Sequence, residues 1–298
     1  MSSGTVTPVG PTPSAPPGGQ RATADGGRAT FAASVRAELL KFFTTRLWWG
    51  MAIAVVVVGA AFATAFAFLL TSDAVRGGPG GGGPAVPVTD VALAKTVFTG
   101  GIQVGYLLTL AIGVLTVGSE YRHKTITGTF LAQPRRTTVM AAKVVALLVL
   151  GVFYGILSLL ASVAAGTAIL VSKGYSPFAD PSIWRTLALS LLVLGLWALI
   201  GLGVAILVPN QVAALLIAVG VAWIVDPVVG GLISLTETGA KITPYLPSQA
   251  TSAMLESTGG FGVASTALSW WAAALVLVAY AAVMAGLGVW RTLRSDIT

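Results

Sequence analysis

Six apolar stretches punctuate this chain, most of them long enough to cross a bilayer, and its polar residues gather between those stretches. They run over residues 47–71, 97–117, about 139–171, about 183–208 with Arg185 just inside the start, about 211–225, and 267–290. Crossing ~30 Å of hydrocarbon takes roughly 20 apolar residues in a helix, so the pattern predicts an all-α membrane protein with six transmembrane helices. The third stretch would be about 50 Å long at 1.5 Å per residue, so its end near Lys143 is expected to project from the bilayer. The fifth is short because Asp226 followed by Pro227 should break or kink it.

The polar segments have their own patterns. Residues 31–46, "FAASVRAELLKFFTTR", place Phe31, Val35, Leu39, Phe42 and Phe43 on one arc of a helical wheel, with Ser34, Glu38, Lys41 and Thr45 along one flank. Such a helix suits the membrane interface, apolar side down and cations near lipid headgroups; the plainer reading is a polar start to the next helix. Residues 1–30 hold five Pro and six Gly with no apolar periodicity and no signal-like apolar core, so a disordered cytoplasmic tail is expected. Residues 72–96 include "RGGPGGGGP" and read as a flexible outer loop. Within residues 227–266, "PVVGGLISL" and "YLPSQATSAML" are too apolar for a free loop and too short to span, which predicts short re-entrant or interfacial helices between spans 5 and 6. The region from 31 to 298 thus reads as a single transmembrane domain.

Composition removes the soluble alternative. The chain is 55% hydrophobic and only 9% charged, with a mean hydropathy of +0.88, against roughly 45–50% and 25% in soluble domains. The net charge of +7 would suit a nucleic-acid partner, but its distribution argues otherwise. With the N-terminus inside, Arg21, Arg28, Arg36, Lys41, Arg46, Arg122, Lys124, Arg135, Arg136, Lys143, Arg291 and Arg294 all lie on the inner side, and only Arg76, Lys95, Lys173, Arg185 and Lys241 lie outside. That is the positive-inside bias. It predicts a multi-pass protein of the cell membrane with both termini cytoplasmic and no nucleic acid to bind. Trp48, Trp49 and Trp290, at span ends, read as interfacial anchors.

Candidate chemistry is sparse. The dipeptide Gly-Lys occurs nowhere, so no GxxxxGK[ST] phosphate loop can form and the chain is not expected to hydrolyse ATP by that route. With one histidine and no cysteine, neither a metal-hydrolase set nor a nucleophile with its base can be assembled within the spans. The reading is a non-catalytic chain that binds no metal or cofactor. Proton- or ion-coupled carriers place ionisable groups along their pathway, and here Asp226 is the sole candidate, as a gate or substrate contact or simply as a helix terminator.

One connector breaks this pattern. Residues 118–143, "GSEYRHKTITGTFLAQPRRTTVMAAK", hold the single His123 and five of the 17 Lys and Arg. Ser119 reads as the N-cap of a short helix through about Thr127, with Glu120 near its positive end. Arg135 and Arg136 read as topogenic charge. The "EYRHKTITGTFLAQPRR" segment, the interfacial helix before span 1, the long third span and the apolar "YLPSQATSAML" before span 6 together resemble the ABC-2 type transporter permeases of actinobacteria, over about residues 31–292.

That resemblance implies the transmembrane subunit of an ABC exporter, moving a hydrophobic or amphiphilic substrate outward. A second permease copy or a paralogue would complete a dimer. A separate nucleotide-binding subunit would carry ATP and Mg, and lipids would surround the spans. It also implies that Glu120, Tyr121, Arg122, His123, Lys124, Thr125, Ile126, Thr127 and Phe130 form a coupling helix docking on the ATPase, with Glu38, Lys41 and Phe42 on the neighbouring interfacial helix. Lys124 departs from the family, whose members commonly carry Gly there. The alternative is a stand-alone six-helix carrier or membrane regulatory protein that binds another cytosolic partner.

Overall fold

A computed structural model of the chain describes residues 31–72, 89–125, 128, 135–256 and 268–294. The expected disordered tail, the glycine-rich loop, and Ile126, Thr127 and Phe130 lie outside the described residues. Among the described residues the fold is all helical. Helix α1 is Phe31–Phe43 and α2, span 1, is Leu47–Leu70. Span 2 is α3 (Asp90–Thr99) plus α4 (Ile102–Arg122), span 3 is α5 (Arg136–Ser172), and span 4 is α6 (Ser182–Leu207). Span 5 comprises α7 (Gln211–Gly220), a π-helical turn (Val221–Val225) and α8 (Asp226–Ile233). Then come α9 (Glu237–Ile242), a 3₁₀ turn (Thr243–Tyr245), α10 (Pro247–Met254) and finally α11 (Trp270–Arg294), span 6. Six of these units are long and apolar enough to cross a membrane. We call inner the end of the bundle at which the Lys and Arg residues of the connectors collect, and outer the opposite end.

Span 4 is the hub. Its most apolar window is 72% buried, against 22% for spans 1 and 5, and it packs against spans 2, 3 and 6. Small residues set those approaches. A Cβ on Gly113 of span 2 would fall 2.1 Å from the Ala198 carbonyl oxygen, and one on Gly201 of span 4 would fall 2.2 Å from that of Leu110. The two backbones therefore touch in both directions, as small-residue stripes allow in membrane helices. Exposed positions on spans 1 and 5 include the apolar Ile53, Val57, Leu216 and Ile224, a face compatible with hydrocarbon.

Two expectations about the spans are corrected. Asp226-Pro227 does not end span 5. Pro227 lacks an N–H and its ring would crowd the carbonyl four residues back, and the turn ahead of it is widened to π geometry, so the helix continues to Ile233. Span 2 begins seven residues earlier than expected, capped by the Thr89 side chain accepting from the Ala92 amide at 3.2 Å. It is interrupted at Gly100 and Gly101, where a Cβ would strike Phe66 and the Gly59 backbone of span 1.

Candidate functional site

At the inner end, four charges from three elements meet. Lys143, about two turns into span 3 and only 2% exposed, donates to Glu38 Oε2 of α1 at 2.8 Å and to Glu120 Oε1 of span 2 at 2.6 Å. Lys41 of α1 closes the ring, reaching Glu38 Oε1 at 2.9 Å and Glu120 Oε1 at 3.4 Å. Glu38 and Glu120 are both buried, and Glu120 Oε2 has no hydrogen-bond partner among the described residues. The cluster is neutral in sum, which is what allows four charges to share a site with little water.

The geometry reverses the expected role of the polar flank of α1. Ser34, Glu38 and Phe42, spaced four apart, are its buried residues, whereas Phe31 and Phe43 are exposed. Phe42 meets Tyr154 of span 3 edge-on at 6.1 Å, and Phe43 meets Phe153 at 5.5 Å. Thus α1 is fastened to span 3 by an ionic contact and an aromatic one side by side, and Lys41 faces carboxylates as well as solvent.

Glu120 is also placed differently. Ser119 is not an N-cap, because α4 runs through it to Arg122 and its hydroxyl donates to the Thr116 carbonyl at 2.9 Å. Glu120 therefore sits in the last turn of span 2, at the negative end of a helix, where a carboxylate is disfavoured; Lys143 and Lys41 offset that. Tertiary partners hold the turn helical where local polarity suggested a new start. Tyr121 is held likewise. Thr292 of span 6 donates its hydroxyl proton to the Gly288 carbonyl, so Tyr121 donates to Thr292 at 3.0 Å.

Of the remaining docking candidates, Arg122, His123, Lys124 and Thr125 are exposed at the inner end, and the His123 ring contacts the Ser119 carbonyl at 2.8 Å through Nδ1. Lys124 has φ +56, the left-handed region. That explains physically why glycine suits the position. Lys124→Gly is expected to stabilise the protein by up to about 1 kcal/mol, the left-handed cost of about 1–2 kcal/mol less the entropy glycine adds to the unfolded chain. A rise in the thermal midpoint of the purified protein checks this; an unchanged or lower midpoint contradicts it.

Burial pushes the Glu38 carboxyl up, but Lys143 and Lys41 pull it further down, leaving it below its usual 4.5. Burial pushes Lys41 down, but Glu38 and Glu120 outweigh that and leave it above 10.5. A lowered acid stabilises the fold above its ordinary value and loses that contribution as pH falls through the folded one; a raised base stabilises below its ordinary value and loses it as pH rises through the folded one. The attachment of α1 is thus expected to be level between the two ordinary values and to weaken on acidification below 4.5. Protease sensitivity of the α1–α2 junction against pH reads this out, and release already at neutral pH would contradict it.

Lys143 is the member that sequence alone places only among the inner charges, at the projecting end of span 3. Its available signal was its position, a lone ammonium set into an apolar helix, which requires a partner. Asp226 lies far from this cluster, buried in span 5 and accepting from the Ser248 amide of α10 at 2.8 Å. No protein-family model matches the chain, and no curated protein matches it in sequence.

Proposed function

We propose that the chain is the membrane-spanning subunit of an ATP-driven exporter of the ABC-2 type, non-catalytic itself and driven by a separate nucleotide-binding subunit. The observation that carries this reading is the Glu38–Lys143–Glu120–Lys41 cluster, which ties α1, span 2 and span 3 into one unit at the inner end. A partner pressing on the exposed Arg122–Thr125 turn would move that whole unit, since buried ion pairs and backbone-close helices shift as rigid bodies rather than deform. Span 3, of 37 residues, extends about 55 Å at 1.5 Å per residue and carries the displacement to the outer end. In this reading α1 is the connecting helix, the segment after Glu120 is the coupling element, α9 and α10 close the outer end, and two permease chains form the pathway. Cell-membrane placement with cytoplasmic termini follows from the lysine and arginine distribution.

The test is assembly. Co-expressed with a subunit carrying GxxxxGK[ST], the protein is expected to co-purify in stoichiometric amount, and the paired reversals Arg122→Glu and Lys124→Glu at the exposed turn should weaken that binding at least about tenfold, as loss of two interfacial charges does. Assembly unaffected by the reversals would remove the turn from the docking surface. Absence of any complex with such a subunit would remove the ATP-driven reading.

A further inference from the structure

A second charge cluster lies at the outer end, and it is built unlike the first. Glu256, just past α10, bridges Lys95 of α3 through Oε2 at 2.5 Å and Arg185 of span 4 through Oε1. Lys95 is 8% exposed, and among the described residues Glu256 is its one salt-bridge partner, with the Asp180 carboxylate also near enough to act on it. Arg185 also lies over the Trp270 ring at 5.3 Å, at the start of span 6. One side chain therefore ties the outer ends of spans 2, 4 and 6 to the end of a short helix.

Beneath that bridge, α10 is seated on the spans through polar contacts. Trp197 of span 4 donates to Thr251 at 3.0 Å, and Gln103 of span 2 donates to Ser252 at 3.3 Å. Tyr106 stacks on Trp197 at 4.4 Å. Apolar side chains add to the seat, for Ala250, Met254 and Leu255 are fully buried.

Two features make this arrangement releasable rather than permanent. Glu256 has φ +49, a left-handed backbone that glutamate adopts unfavourably, so the bridge holds the chain in a conformation it would leave if freed. The π-helical turn Val221–Val225 stands directly before the segment that carries α8, α9 and α10 and supplies a place where the backbone can bend.

We propose that Glu256 is the bolt of an outer closure: its bridge to Lys95 and Arg185 holds α10 over the layer containing Thr251, Trp197 and Tyr106, and breaking the bridge opens that layer to the outer solution. This deepens the export reading, in which cargo must leave at that end. The chain has no cysteine, so single engineered thiols report accessibility without background. The full chain in lipid nanodiscs is treated with a charged, membrane-impermeant methanethiosulfonate reagent, with Thr251→Cys as reporter and Ser269→Cys as the exposed reference.

Thr251 is fully buried, and its thiol is expected to react at least about a hundredfold more slowly than the reference, as buried sites opening rarely do. Glu256→Gln or Lys95→Met should raise the Thr251→Cys rate about tenfold or more, the factor that loss of one charge-assisted hydrogen bond gives to an opening equilibrium. Arg185→Gln should do less, since that side chain is 41% exposed. Ser162→Cys, buried within span 3, should stay unreactive throughout. An unchanged Thr251→Cys rate in Glu256→Gln overturns the proposal, and so does a parallel rise at Ser162→Cys, which would mean that the bridge merely supports the whole fold. No ATPase subunit takes part in this measurement, so failure of the bolt and failure of the ATP-driven reading are separately visible.

Discussion

Lys143→Met is expected to be the most damaging single substitution at the inner end, costing about 3–5 kcal/mol, the usual penalty for breaking a buried pair and stranding its partners. Lys143 is 2% exposed and is the shared donor to Glu38 and Glu120. Without it, two buried carboxylates have only Lys41, whose side chain is 46% exposed and whose contact with Glu120 is the longest in the ring at 3.4 Å. Adding Glu38→Gln and Glu120→Gln should return most of the loss, because neutral amides of the same shape carry no uncompensated charge. Thermal unfolding of the purified single and triple variants separates these outcomes. A triple variant no more stable than Lys143→Met would mean that the lysine matters through its packing alone.

The second large effect concerns methyl groups rather than charges. Gly113→Ala and Gly201→Ala should each destabilise the protein by about 1–3 kcal/mol or more, since inserted carbons in a packed core force backbone shifts. Both added methyls would face backbone carbonyl oxygens at 2.1 and 2.2 Å, which no side-chain rotation can relieve. Gly286→Ala in span 6 is the internal control. No atom of the described residues lies within 4 Å of its Cβ position, and alanine there should add about 0.5–1 kcal/mol by its better helix propensity. Opposite signs at positions that all read as "Gly in an apolar helix" would locate the span 2–span 4 contact directly; equal effects would contradict it.

Much of the fold was legible because lipid imposes a length and a composition on anything that crosses it. The six apolar stretches correspond to the six long helices, including the unusually long third, and the apolar segment before span 6 does hold short helices. Span 5 is longer than its pattern suggests because Asp226-Pro227, expected to break or kink it, is absorbed by a single widened turn that lets the helix run on. Span 2 misled at both ends for related reasons. Its first turns carry Lys95, polar enough to look like loop until Glu256 is seen to neutralise it, and its last carry Glu120 and Tyr121, polar enough to look like a new element until Lys143 and Thr292 are seen to bury them.

The inner cluster was half legible. Glu38, Lys41 and Glu120 were visible as polar residues in promising places, but their convergence depends on α1 turning its polar flank inward. No local periodicity encodes that, because Phe42 sits on the boundary of both faces and a distant lysine decides which face wins. The outer bridge was less legible still, since Lys95, Arg185 and Glu256 come from three separated segments and none forms a motif.

The claim that the inner cluster transmits a partner's motion is tested most directly by ATP hydrolysis in the assembled complex, comparing wild type with Glu38→Gln. That substitution removes the ion pair between α1 and Lys143 while leaving the 2.6 Å Lys143–Glu120 pair and the aromatic contacts of α1 in place, so folding and assembly should persist. The account predicts a complex of normal stoichiometry whose ATPase rate no longer responds to the permease, and an equal response in wild type and Glu38→Gln would contradict it.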